Sequence, residues 1–427
     1  FALCFPEIMP SVAEKISVSE IGQLKKRGRR MRQVIRFFSA VALMLSVGVF
    51  SCVAYGEIQL PDEYCVVAGS GAEIGESVFS ASAAASPQGD YELEVKAFGL
   101  FPVKTARVKV SQRRYVTVGG EIFGIRLYTR GVLIVGSEEI DTAAGAVSPA
   151  ARAGLKKGDI ILEINGAPVS RNNDISSAVE SSGGDEIELL IERAGKRQTV
   201  SLLPARSRTD KKFKAGLWVR DSSAGIGTVT FYDRKNGIFA GLGHAVCDVD
   251  TGEVLPISGG DAVNAAIKGC YKGKDGSPGE LCGVFAPGEI GELYENCGIG
   301  VYGAFEALPQ GEEIPVAIID EVKTGKAQII STVDGNGPQY YDIEITKLYT
   351  KSGQRNMTVE VCDERLIEKT GGIVQGMSGS PIIQNGMLVG AVTHVFVNDP
   401  RKGYAIFAQT MIDEAERISS PGYSDAA

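Results

Sequence analysis

Apolar and polar positions change rhythm several times along the chain. Residues 37–55, FFSAVALMLSVGVFSCVAY, carry no charge; at roughly 1.5 Å per residue they make about 28 Å of helix, enough to cross a bilayer core. Residues 57–118 alternate in short runs such as Tyr91-Glu92-Leu93-Glu94-Val95 and Ala106-Arg107-Val108-Lys109-Val110, the period of half-buried strands. A stretch rich in Gly, Ala and Ser around 69–89 precedes them. Residues 121–205 read as strand, strand, short helix, strand, helix, strand. From Leu217 to Gln409 the pattern is short strands broken by glycine turns, as a pair of β-barrels needs. The fold class expected is mainly β, and 53 glycines agree with a turn-rich chain.

Charge gives the apolar stretch an orientation. The net charge is -8, yet residues 1–36 hold eight Lys/Arg against three Glu. Lys25, Lys26, Arg27, Arg29, Arg30, Arg32 and Arg36 stand directly before Phe37, which keeps the N-terminal side cytoplasmic and puts everything after Gly56 outside. A cleaved signal peptide is the other reading, since Cys52-Val53-Ala54 offers small residues for cleavage. Because residue 1 is Phe, either Met9 is the initiating residue or the sequence is a fragment. The membrane is thus an expected partner. Nucleic acid is not, for no basic footprint lies outside the tail.

Cysteines stand at 4, 52, 65, 247, 270, 282, 297 and 362, with no CxxC pair or His-rich spacing that would suggest a metal site. In an exported domain Cys270, Cys282 and Cys297 permit a disulfide of undetermined pairing.

Within 121–205 one run is coherent over many residues: Ser148-Pro149-Ala150-Ala151-Arg152-Ala153-Gly154-Leu155, then Lys156 to Gly166. Proline opens a helix, Gly154 stops it, Gly158-Asp159 turns, an apolar strand follows, and Asn165-Gly166 turns again. The run resembles a PDZ domain of the bacterial, protease-associated form. That resemblance implies a peptide tail added as a strand. Phe123, Gly124, Ile125, Arg126 and Leu127 are the matching loop, with Gly124 letting the ligand backbone approach.

The strongest chemical signal is Gly376-Met377-Ser378-Gly379-Ser380-Pro381, set before a strand, an Asn385-Gly386 turn and another strand. A serine becomes nucleophilic only when a base takes its proton and fixed donors meet the oxyanion. Gly376 frees the chain to turn its own amide and that of Ser378 toward one point, an oxyanion hole. The surroundings resemble the G-x-S-G turn of trypsin-like serine proteases. The chain has only two histidines, His244 and His394. His244 precedes the serine by 134 residues, the order of the trypsin-like group. The orienting carboxylate is expected at Asp363, with Asp248, Asp250 and Asp320 as competitors. His394, on the strand after the nucleophile hairpin, is expected in the specificity pocket, where it could bind a Glu or Gln of the substrate.

These motifs and their surroundings, AGLWVRDSSAGIGTVTFYD, GLGHAVCDVDTG, LIEKTGGIVQGMSGSPIIQNG and VGAVTHVFVNDP, are similar to the peptidase domain of the stage IV sporulation protein B family. The resemblance implies a trypsin-like double β-barrel peptidase behind a PDZ domain and an N-terminal transmembrane helix. The expected layout is a basic tail (1–36), a signal-anchor or signal peptide (37–55), a small β module or spacer (56–118), a PDZ domain (119–206) and a peptidase (207–427). It further implies a serine endopeptidase of spore-forming bacteria with nucleophile Ser378, base His244 and acidic partner Asp363, needing no cofactor. Such proteins cleave themselves and act from the forespore side, in the intermembrane space, on a membrane complex that restrains a sigma-factor-processing protease. The alternatives are a tethered PDZ peptide-binding protein with an inactive barrel, and a general quality-control protease.

Overall fold

A computed structural model describes residues 18–69, 72–76, 78–83, 89–307, 310–349 and 355–420; Cys4 and Met9 lie outside them. The chain divides into two compact units, Phe1–Ser111 and Gln112–Ala427.

In the first unit the uncharged stretch is part of one helix, Val18–Gln59, whose most apolar 18-residue window, within Arg27–Gln59, has a mean hydropathy of 2.2. A five-stranded sheet follows, in the order Glu63–Val67, Phe101–Ser111, Tyr91–Ala97, Phe79–Ala83, Ala72–Glu76. Alternation buries Leu93, Val95 and Ala97 on one face against Ala106 and Val108. The expected boundary at 118 moves back to Ser111. Tyr115–Val118 belongs to the second unit, where it pairs with Phe231–Tyr232 and Glu313–Pro315.

The second unit contains two closed six-stranded barrels. Around the first, Ile122–Ser137, Ile257–Tyr271, Glu280–Cys297, Gly300–Phe305, Ile238–Gly241 and Leu217–Asp233 are hydrogen-bonded in turn, and the last returns to the first. Around the second run Gly325–Ser331, Gln339–Leu348, Met357–Val361, Asp399–Phe407, Met387–Phe396 and Pro381–Gln384. Period-two patterning drives closure: Tyr341, Ile343 and Ile345 face inward from a strand whose other positions are mostly exposed. The helix Ala408–Ser419 buries Met411, Ile412, Ala415 and Ile418 against Phe231 and Tyr302 of the first barrel and Leu388 and Ile406 of the second. The two barrels therefore share an apolar seam.

The PDZ module does not precede the first barrel; it is inserted into it. Ile122–Ser137 pairs through residues 122–129 with barrel strands and through Val132 and Leu133 with Ile160–Ile161 of the module. The module's core gathers Val132, Ile134, Leu155, Ile161, Ile175, Ile187, Ile191 and Ala215, so it closes only after Ala215. The expected cuts at 119 and 206/207 are corrected accordingly, because the barrel needs a strand from the near side of the module and the module needs residues from the far side.

Candidate active site

The strand Ile238–Gly241 delivers His244 through a tight turn. Leu242 and Gly243 both adopt left-handed backbone, at φ +66° and +69°, and reverse the chain under Thr393 and Ile406. His244 Nδ1 donates to the carbonyl of Ala245 at 2.8 Å. A carbonyl can only accept, so Nε2 is left as the basic nitrogen. Burial holds the imidazole below its ordinary pKa, partly offset by the Ala245 contact.

Ser378 sits in the loop between the helix Glu364–Thr370 and the strand Pro381–Gln384. The strand Leu217–Asp233 of the first barrel clamps this loop. Thr228 N donates to the Ser378 carbonyl at 2.9 Å, Thr228 Oγ1 to the Gly376 carbonyl at 2.9 Å, and Thr230 Oγ1 to the Gly379 carbonyl at 2.8 Å. Gly379, at φ +94°, has the tightest approach: a Cβ there would stand 2.0 Å from the Thr228 carbonyl oxygen, so no other residue fits.

The amides of Gln375, Met377, Gly379 and Ser380 all donate to backbone carbonyls. Among the described residues, the amides of Gly376 and Ser378 donate to no protein acceptor. These are the two expected at the oxyanion hole. The Ser378 hydroxyl itself donates to the Thr393 carbonyl at 2.7 Å.

Ser378, Gly376, His244, Thr393 and His394 line one cleft of about 480 Å³ at the meeting of the barrels, with Ser223–Ile226 on its first-barrel side. The His244 and His394 rings lie 4.7 Å apart, tilted by 38°. Burial, then the charge of His244, then that of Arg355 lower the His394 pKa to about 4. Both histidines expected in the site thus line the cleft, but their close ring contact was not foreseen from the sequence. The Thr228 and Thr230 clamps were not foreseen either, although two fully buried threonines in an apolar strand demand partners.

Asp363 is not brought to the imidazole. It N-caps the helix Glu364–Thr370: Oδ1 accepts from Arg365 N at 2.9 Å and Nε at 3.1 Å, while Oδ2 accepts from Arg365 Nη2 at 2.7 Å and Asp342 N at 3.2 Å. The Arg365 hydrogen bonds hold its carboxyl below the usual range against the opposing effect of burial. With both oxygens engaged and no place in the cleft lining, its expected role as orienting carboxylate is corrected to that of a helix cap. The competitors do not take its place. Asp248 and Asp250 are ion-paired to Arg220, and Asp320 lies in the short helix Ile319–Glu321.

The expected peptide-binding loop is also displaced. Phe123, Gly124, Ile125, Arg126 and Leu127 pair with Gly227 to Ser223 on one edge and with Asn264 to Gly260 on the other. Both edges are occupied, so no ligand strand can join there; Ile125 and Leu127 instead reach the catalytic cleft. The module's open groove lies between the helix Asn172–Ser181 and residues 212–219, enclosing about 550 Å³ beside Ser176, Val179, Phe213, Leu217 and Val219. Cys270, Cys282 and Cys297 are free thiols.

Residues 211–412 match the family SpoIVB peptidase S55, and residues 140–193 match the PDZ domain family. The S55 match takes in the second barrel and five of the six strands of the first. Curated relatives include DegP-like proteins described as periplasmic serine endoproteases. One, from Marinomonas sp. (strain MWYL1), is 42% identical over 66 residues, covering 15% of this chain and 14% of the relative. Another, from Pseudomonas putida, is 26% identical over 206 residues, covering 45% and 38%. A protein of Lactococcus lactis grouped with zinc metalloproteases is 31% identical over 98 residues, covering 23% of this chain and 21% of its own. The chain therefore spans well under half the length of these relatives. Among solved structures, the inactive form of a Mycobacterium tuberculosis protease aligns with 46% of this chain and 85% of its own at 16% identity and TM-score 0.27. The PDZ domain of an SdrC-like Listeria monocytogenes protein aligns with 21% and 87% at 19% identity and TM-score 0.18. The cleft residues His244 and Ser378 both lie inside the span that matches the S55 family.

Proposed function

We propose that this chain is a membrane-anchored serine endopeptidase with a narrow signalling role in spore-forming bacteria, cleaving itself and a membrane regulatory protein whose loss leads to sigma-factor activation. The observation that carries the reading is the convergence in one cleft of a serine hydroxyl, a histidine with a free basic nitrogen and two unengaged amides. Catalysis begins when the Ser378 hydroxyl leaves the Thr393 carbonyl and turns to His244 Nε2. Ser378 Oγ then attacks the scissile carbonyl as its proton passes to His244, and the amides of Gly376 and Ser378 hold the oxyanion. His244 returns the proton to the leaving amine, and water repeats the sequence on the acyl-enzyme. His394, beside His244, is placed to meet the substrate side chain, and a Glu or Gln there suits an imidazole. The PDZ groove at Asn172–Ser181 and 212–219 takes a peptide tail. The helix Val18–Gln59 holds the enzyme in the membrane with its catalytic domain on the extracytoplasmic side.

Two observations favour a second reading. The serine bonded to a carbonyl and the absence of a carboxylate at His244 among the described residues would also suit a tethered peptide-binding protein with a silent barrel. Incubating the purified full chain in lipid and sequencing the N-termini of its products separates the readings. Discrete self-cleavage lost in Ser378→Ala, with casein left intact, supports the proposal. Casein degradation argues for a quality-control protease, and no Ser378-dependent product argues for the silent barrel.

A further inference from the structure

The helix Val18–Gln59 is built into the sheet that follows it. Cys52, Val53 and Leu60 pack against the cluster of Phe79, Leu93, Val95 and Ala106. A Cβ on Gly56 would lie 2.5 Å from the Phe79 ring and 2.8 Å from Val103. Lys104 Nζ donates to the Leu60 carbonyl at 3.0 Å, and Arg107 N donates to the Asp62 carbonyl at 2.9 Å. Glu63 then pairs with Arg107, and Val67 with Ser111, in parallel. Contacts thus advance together from Gly56 to Val67 and from Val103 to Ser111. The start of the Phe101–Ser111 strand therefore points back along the helix toward its uncharged part.

At that end lies the turn joining Tyr91–Ala97 to Phe101–Ser111, with Ala97 opposite Phe101. Phe98 is 56% exposed, Leu100 76% and Phe101 42%, and no charge falls between Lys96 and Lys104. Phe98 is held at φ +53° and Gly99 at +69°. A turn in water would place Asn or Asp before that glycine, because left-handed backbone is unfavourable for an aromatic residue. From Val103 back to Leu100 the strand covers about 10 Å, roughly six or seven residues of helix. Counted back from Gly56, this is the level of Val49 and Phe50.

We propose that the tip Phe98–Phe101 is a second membrane contact, an apolar hairpin loop inserted into the outer interface of the bilayer that the helix crosses. The proposal rests on reading Val18–Gln59 as an anchor. The partner is lipid, because uncharged Phe and Leu side chains at this depth suit the boundary between headgroups and acyl chains. Helix and hairpin together would fix the small sheet against the membrane surface.

The test uses the full chain with its sole tryptophan replaced (Trp218→Phe), reconstituted in phosphatidylcholine–phosphatidylglycerol vesicles containing brominated lipid. Single tryptophans are introduced as Phe50→Trp, Leu100→Trp, Phe101→Trp or Lys109→Trp. The expected result is that the first three lose most of their emission while Lys109→Trp, at the far end of the same strand, keeps its own. Quenching of Phe50→Trp with Leu100→Trp and Phe101→Trp as bright as Lys109→Trp overturns the proposal and leaves the anchor standing. An unquenched Phe50→Trp overturns the anchor, and the proposal with it.

Discussion

At the scale of single residues, the proposed catalysis depends on His244 remaining neutral. Burial lowers its pKa from the ordinary value of 6.5, so the imidazole stays unprotonated, and able to accept the serine proton, at pH values where an exposed histidine is already charged. The acid limb of kcat/KM against pH is expected below 6.5; a limb at or above that value would contradict the geometry. Thr228 supplies the second test. In Thr228→Val the Gly376 carbonyl loses a partner inside a packed loop, a loss of about 1–3 kcal/mol if the acceptor stays unsatisfied. Urea unfolding of Thr228→Val is expected to show that loss of stability, and a midpoint equal to the parent's would mean that the clamp contributes nothing. His244 and Ser378 stand out in the sequence because glycines flank both, and the structure brings the two to one cleft. The threonine clamps do not stand out, since they depend on which strand of another barrel reaches the loop.

Asp363 shows, at the scale of elements, why chain order alone misled. An aspartate 15 residues before the serine satisfies the order His, Asp, Ser, but it also opens a helix, and its side chain accepts from Arg365 N. Local capping and the Arg365 pair claim both oxygens. Asp363→Ala is accordingly expected to lower stability by about 0.5–2 kcal/mol in urea unfolding, the range for losing an N-cap, while probe reactivity at Ser378 changes little. A loss of reactivity by several orders of magnitude with unchanged stability would restore the triad role. The PDZ helices and turns were readable from Ser148-Pro149 and Asn165-Gly166. The groove was not, because the strand expected to border it is paired on both edges by barrel strands far away in sequence.

For the whole molecule, the inserted PDZ module governs what can be cut away. A fragment beginning at residue 207 lacks Ile122–Ser137, leaving Leu217–Asp233 and Ile257–Tyr271 as open edges. That fragment is expected to aggregate or melt without a cooperative transition, whereas residues 112–420 are expected to unfold cooperatively by circular dichroism. Equal cooperativity in both would mean that the shared strand is dispensable. Period-two alternation announced two barrels, but it could not announce that the first barrel takes a strand from before the module.

The central claim, that Ser378 is a nucleophile served by His244 in the cleft between the barrels, is tested most directly by the rate of fluorophosphonate labelling of the purified full chain. Labelling is expected in the parent, none in Ser378→Ala, and loss of nearly all labelling in His244→Ala. Labelling that survives in Ser378→Ala, or that is unaffected by His244→Ala in a folded protein, would contradict it.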